Sequence, residues 1–273
     1  MNYEEYFKRH LAFIEKELRA LLLRHQARPL SIHKAMQYAA FTGGKRFRPV
    51  LTLAACEACG GKSREVTGAA LAIELIHTYS LVHDDLPALD NDDLRRGKPT
   101  CHKKFGEANA ILAGDGLLNL AFESVAGIRP AARAVCILRE ISTASGARGM
   151  IGGQVADLAA PAKKKTLAKH DFISRYKTGA LIRVSAVSGA VAAGASPAKI
   201  KAMTRYGECL GLAFQVVDDI LDQDGYCKVM SVEAATVKAV RLIEQAKRAI
   251  RPFGRKAQAL VFLADFLKKR IPA

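Results

Sequence analysis

Apolar positions recur along this chain at the spacing of helices and nowhere in sustained alternation. Leu11, Ile14, Leu18, Leu21 and Leu22 fall on one helical face. After the break at Thr42-Gly43-Gly44, a second helix is predicted from Pro49 to Cys59. Proline suits a first turn, and Gly60-Gly61 supplies the stop. Val66 to Leu86 is apolar on nearly all sides, as expected of a helix in the middle of a bundle, and Pro87 ends it. Further helices are expected over 106–127, 131–149, 171–194, 198–222 and 231–250, punctuated by Gly146, Gly149, Gly152, Gly153 and Gly194. No linker divides the chain, so the pattern predicts one all-α domain, a helical bundle, over residues 1–273.

Composition agrees. Half of the 273 residues are apolar, enough for a sizeable core, and a quarter are charged, which excludes a disordered tail. With 21 Gly and 9 Pro the chain is neither collagen-like nor of low complexity. Six cysteines are scattered, and the Cys56/Cys59 pair lacks a second pair at zinc-finger spacing. They read as small apolar residues on helices. The opening MNYEEYFKRH does not resemble a signal peptide, and no apolar run approaches the ~18 residues of a membrane span. A cytoplasmic protein is expected.

Forty-two Lys and Arg against 26 Asp and Glu leave a formal charge of +16. Nucleic acid, an anionic membrane surface and small anionic substrates would all suit that sign. The acidic residues are more selective. HTYSLVHDDLPALD and GLAFQVVDDILD each run an apolar helix into aspartates: Asp84, Asp85 and Asp90 in the first, Asp218, Asp219 and Asp222 in the second. Asp218 and Asp222 stand at i and i+4 on one helical face, where like charges repel and a cation relieves them. Oxygen donors suit Mg²⁺, which keeps waters and is completed by substrate phosphates. One such cluster reads as a solvated helix end, whereas two favour a metal site facing a cavity. Lys45, Arg46 and Arg48 follow paired glycines, Arg95 and Arg96 follow the first acidic cluster, and Lys177-Thr178 precede Gly179. Singly these are surface charges, and together they suit phosphate. His77 lies two turns before Asp84 on roughly the same face, either as a core histidine or as a ligand-facing group.

GGKRFRP, HTYSLVHDDLPALDNDDLRRGKPT, GEANAILAGDGLL, GGQVADL, KTGALI and GLAFQVVDDILD resemble, in order and spacing, the short-chain trans-polyprenyl diphosphate synthases, and most of all bacterial farnesyl diphosphate synthases. The likeness is dense from about Gly43 to Asp222. It implies a helical bundle around a deep central cavity, usually homodimeric. In such enzymes an allylic diphosphate ionises while Mg²⁺ holds the departing pyrophosphate, isopentenyl diphosphate attacks the cation, and a proton is lost.

Carried over by residue, the resemblance makes Asp84, Asp85, Asp90, Asp218 and Asp222 metal ligands. Arg95, Lys177, Thr178 and Gln215 would meet the allylic diphosphate, and Lys45, Arg48, His77 and Arg96 isopentenyl diphosphate. Asp84, Asp90, Asp218, Arg95 and Lys177 would be the catalytic set. Tyr79 and Ser80 would govern chain length, Tyr79 as a floor ~7 Å along the helix from Asp84. The implied activity condenses isopentenyl diphosphate with dimethylallyl and geranyl diphosphates to farnesyl diphosphate. The alternatives are a geranylgeranyl or other short-chain product, or a non-catalytic partner subunit. The last arises because the segment after Asp222 is shorter than the family's and lacks its lysines, with Lys228 a candidate replacement. A terpene cyclase would carry a different second motif, and a nucleic-acid binder would leave the carboxylates unexplained.

Overall fold

The computed structural model describes residues 3–159 and 166–272. Among these the fold is all-α, with one small hairpin. The helices are α1 (Tyr3–Arg24), α2 (Leu30–Ala40), α3 (Phe47–Cys59), α4 (Ser63–Asp84), α5 (Cys101–Phe105), α6 (Glu107–Ala126), α7 (Ala131–Ser145), α8 (Met150–Leu158), α9 (Leu167–Ile173), α10 (Ala180–Ala192), α11 (Pro197–Asp222), α12 (Val232–Ala249) and α13 (Gln258–Lys269). A π segment, Ser174–Gly179, joins α9 to α10. The hairpin pairs β1 (Leu94–Arg95) with β2 (Lys98–Pro99).

The expected helices all appear, with corrections. The stretch 131–149 stops at Ser145, where Gly146 leaves helical geometry, and α8 starts afresh at Met150. The stretch 171–194 is broken by the π segment. The helix expected from Pro49 begins at Phe47. The pattern did not give α2, whose buried face is only alanines and Met36, nor α13, nor the hairpin.

The run Val66–Leu86 predicted a central helix, and α4 is one, buried on several sides. It packs with α6, α3 and α10, and α11 lies against α10 and α12. One buried cation organises the end of the bundle where α3 begins. Arg46 donates from Nε to Glu15 of α1 at 2.7 Å, from Nη1 to Glu74 of α4 at 2.7 Å, and from Nη2 to the Ala40 carbonyl of α2 at 2.6 Å. Its backbone is left-handed, with φ 47°. That turn carries the Arg46 guanidinium to its buried carboxylates, at the edge of the cavity that Lys45 and Arg48 also line.

Gly211 of α11 meets Gly179 so closely that a Cβ on Gly211 would lie 2.8 Å from the Gly179 Cα and 3.0 Å from its carbonyl oxygen. Both neighbours are backbone, so neither can turn aside. This close approach brings Gln215, one turn further along α11, up to Thr178. Substituting Gly211→Ala is therefore expected to cost about 1–3 kcal/mol of stability by overpacking. Denaturant melts of the two proteins would measure it.

Candidate active site

The C-terminal ends of α4 and α11 border two adjoining hollows. One, of about 540 Å³, is walled by Lys45, Arg48, His77, Arg96, Gln215 and Asp218 among others. The other, of about 410 Å³, is walled by Tyr79, Ser80, Asp84, Met150, Lys177 and Leu181 among others. Arg48, His77 and Thr178 line both. Asp84 and Asp218, far apart in sequence, thus face adjoining spaces, one rich in cations and the other largely apolar.

The acidic residues do not all face the hollows. Burial pushes the Asp84 carboxyl up to about 6; Lys177 pulls it back and the Asp90 charge pushes it further up. Asp90 is exposed, and its backbone N–H bonds to the Asp84 carbonyl at 2.8 Å. Asp85 is buried and accepts from Arg95 Nε at 2.6 Å. Burial raises Asp218 too, opposed by Arg270, whose Nη2 lies 2.8 Å from its Oδ1. Asp222 is exposed, and its charge adds to the rise at Asp218. Asp219 turns away to His170.

No three His, Cys, Asp or Glu side chains close a metal shell among the described residues. A cation here would take one or two carboxylates from each cluster and find its remaining oxygens in water and phosphate. That donor set fits Mg²⁺, which is usually held this way. The desolvated Asp84 beside Asp90 is a charge pair that such an ion would relieve.

The predicted cations divide by partner. Arg48 has a buried Nε with no protein acceptor, a donor suited to an incoming anion. Burial holds its pKa below the usual arginine range, as does the Arg96 charge. Burial, with Arg48 and Arg96 nearby, holds His77 well below the usual histidine range, so its ring is neutral at neutral pH. Lys45 lies 5.9 Å from the Phe266 ring. Arg96 donates to the Gly43 carbonyl. Arg95 is shared between Asp85 and Asp92. Lys177 bonds to Asp157 at 2.8 Å, and the Thr178 hydroxyl donates to Gln215 Oε1 at 2.6 Å. Lys228 is not at the cavity, because it pairs with Asp224 on an exposed turn.

Three features escaped the sequence reading. Arg270, just beyond α13, occupies Asp218; KKR at the end of the chain is a basic cluster with no spacing to say where it lands. Gln154 of GGQVADL faces the site, and Asp157 of the same motif reaches it through Lys177. Gln154 lines the apolar hollow with both side-chain polar atoms buried and unpartnered, and Asp157 holds Lys177. Here the motif itself was the available signal.

A family model described as polyprenyl synthetase matches residues 29–234. The geranylgeranyl pyrophosphate synthase, chloroplastic, of Capsicum annuum is 43% identical over 267 residues, covering 89% of this chain and 72% of that protein. A dimethylallyltranstransferase of Fischerella ambigua is 42% identical, covering 89% of this chain and 77% of that protein. The crystal structure of a geranyltransferase from Legionella pneumophila superposes with a TM-score of 0.93 at 37% identity, over 98% of this chain and 97% of that one.

The raised Asp84 carboxyl has a thermodynamic signature. Its folded value, about 6, exceeds the ordinary ~4 of the unfolded chain, so the folded state binds the extra proton. In metal-free protein this residue therefore costs stability as pH rises from about 4 to about 6, and the cost is full above that. Asp84→Asn is expected to raise the melting temperature by a few degrees above about pH 6 and to change nothing below about pH 4, in melts with EDTA.

Proposed function

The chain belongs to the polyprenyl synthetase family and is a trans-prenyltransferase, and on that premise we propose that it joins isopentenyl diphosphate to dimethylallyl and then geranyl diphosphate, giving farnesyl diphosphate and pyrophosphate. One observation carries the reading: Asp84 and Asp218 border adjoining hollows, one cationic and one apolar, with Arg48, His77 and Thr178 common to both. That is the shape required by a substrate with a charged head and a hydrocarbon tail.

In this reading Asp84 and Asp90, with Asp85 assisting, and Asp218 with Asp222 hold Mg²⁺. The ion supplies electrostatic stabilisation of the departing pyrophosphate. Lys177, Arg95, Thr178 and Gln215 orient the allylic diphosphate. Lys45, Arg48 and Arg96 hold isopentenyl diphosphate, with the neutral His77 ring as a hydrogen-bonding wall. Arg270 adds a cation beside Asp218. No protein nucleophile is needed. The apolar walls keep water from the carbocation.

Tyr79 supports a fifteen-carbon product. Its ring is 5% exposed, its hydroxyl is buried without a partner, and it lines the apolar hollow beside Ser80. A geranylgeranyl product is the second reading, favoured by the likeness to the Capsicum annuum enzyme of that name. Intact acidic clusters argue against an inert partner subunit. A homodimer through the outer faces of α6 and α7 is supported by exposed Ile111, Leu112 and Val135. All six cysteines are free thiols, which fits a reducing cytoplasm, and no helix among the described residues is long and apolar enough to cross a membrane. Flanking helices α1 and α13 pack into the same cores as the matched region, which supports one polyprenyl synthase domain.

Incubation with dimethylallyl and isopentenyl diphosphates is expected to release pyrophosphate and give a fifteen-carbon product only when Mg²⁺ is present. No product with the metal present would overturn the assignment. Tyr79→Ala should shift the products, read by mass, to twenty carbons and beyond. An unchanged distribution would remove Tyr79 as the floor.

A further inference from the structure

The segment from Gln223 to Ser231 joins α11 to α12 through one 3₁₀ turn, Gly225–Lys228. We propose that His170 and this turn are positioning elements: they hold Asp219, and through Asp219 and Gln215 they fix the Thr178 hydroxyl in the cationic hollow. The inference rests on the prenyltransferase reading and deepens it.

Asp219 is buried and does not line either hollow. Its Oδ2 accepts from His170 Nε2 at 2.9 Å and from the Tyr226 backbone N–H at 2.9 Å. Its Oδ1 accepts from Gln215 Nε2 at 2.7 Å. A carboxylate only accepts, so the Gln215 amide is oriented with its NH₂ toward Asp219 and its carbonyl toward Thr178, whose hydroxyl donates to it at 2.6 Å. Each bond sets the direction of the next. Gln215 and Thr178 line the 540 Å³ hollow, whereas His170 and Tyr226 lie behind it.

The turn is built to close on this carboxylate. A Cβ at Gly225, where φ is +49°, would fall 2.0 Å from Asp219 Oδ2. Tyr226 is fully buried, its ring stands edge-on to His170 with centroids 4.4 Å apart, and its hydroxyl bonds to Asp171, which also holds Lys238. His170 Nδ1 is buried without a partner. A polar ring is thus kept in the interior for its single bond to Asp219, which packing alone would not require.

The test compares His170→Leu, which removes the donor, with His170→Gln, which can still reach Asp219. Ile137→Val, a mild truncation in the core of α7, is the stability control. Steady-state kinetics, melting curves and calorimetry of inorganic pyrophosphate with Mg²⁺ are the readouts. His170→Leu is expected to raise the KM for geranyl diphosphate about tenfold and to weaken pyrophosphate binding by a similar factor, with the isopentenyl diphosphate KM changed less than about twofold. His170→Gln should recover most of both. Ile137→Val should lower the melting temperature and leave both KM values alone. Unchanged geranyl diphosphate KM in His170→Leu, or both KM values rising together, would overturn the relay. Where His170→Leu does not fold, His170→Asn, too short to reach, replaces it in the comparison. Wild-type protein that makes no product, yet binds pyrophosphate more tightly than His170→Leu, would sink the prenyltransferase reading and leave the relay standing.

Discussion

The arrangement of this molecule depends on the buried guanidinium of Arg46. A charge removed from water is tolerated only when its hydrogen bonds are met, and here three helices meet them: Glu15 from α1, Ala40 from α2 and Glu74 from α4. Removing either carboxylate would leave one buried guanidinium donor unmatched and the charge only half compensated. The pairing therefore sets where α3 starts relative to the central helix. It also places GGKRFRP along the cavity wall, with the Arg46 guanidinium held by its carboxylates while Lys45 and Arg48 line the same hollow without a carboxylate bond of that kind.

Much of the fold was legible because its central helices leave strong traces. The all-round apolar run of α4 and the i, i+4 aspartates of α11 are features of local sequence. The two Asp motifs at the ends of these helices were equally plain, though of their six carboxylates only Asp84 and Asp218 line the hollows. What could not be read was the partner each charge finds in space. Lys45, Arg46 and Arg48 look alike in sequence, and the choice of Arg46 for the interior is made by carboxylates on other helices. Asp85 and Asp219 look like their neighbours Asp84 and Asp218, yet Arg95 and His170 turn them aside. The π segment has no periodic trace, since one wide turn inside a helical stretch barely alters the apolar spacing.

The shortened stretch after Asp222 illustrates the same limit from the other side. Sequence showed an absence, namely fewer residues and fewer lysines than the resemblance implied. The structure shows what stands there instead: a tight turn plugged by Tyr226 and bonded to the back of α11. The cation beside Asp218 comes from further along the chain, just past α13, as Arg270. Local shortening and distant supply together give the site its present boundary.

The pairing of cations at the cavity has a consequence for how ligands enter. Lys177, Arg95 and Arg270 are each already neutralised by a carboxylate, Asp157, Asp85 and Asp218 respectively. A diphosphate drawing any of them away would leave an acid without its counter-charge inside a poorly solvated space. On the proposed reading, an anion that draws on these three cations is balanced when a divalent cation takes over the carboxylates they release. On that reading, the ion pairing of these three cations favours a ligand that brings both signs at once.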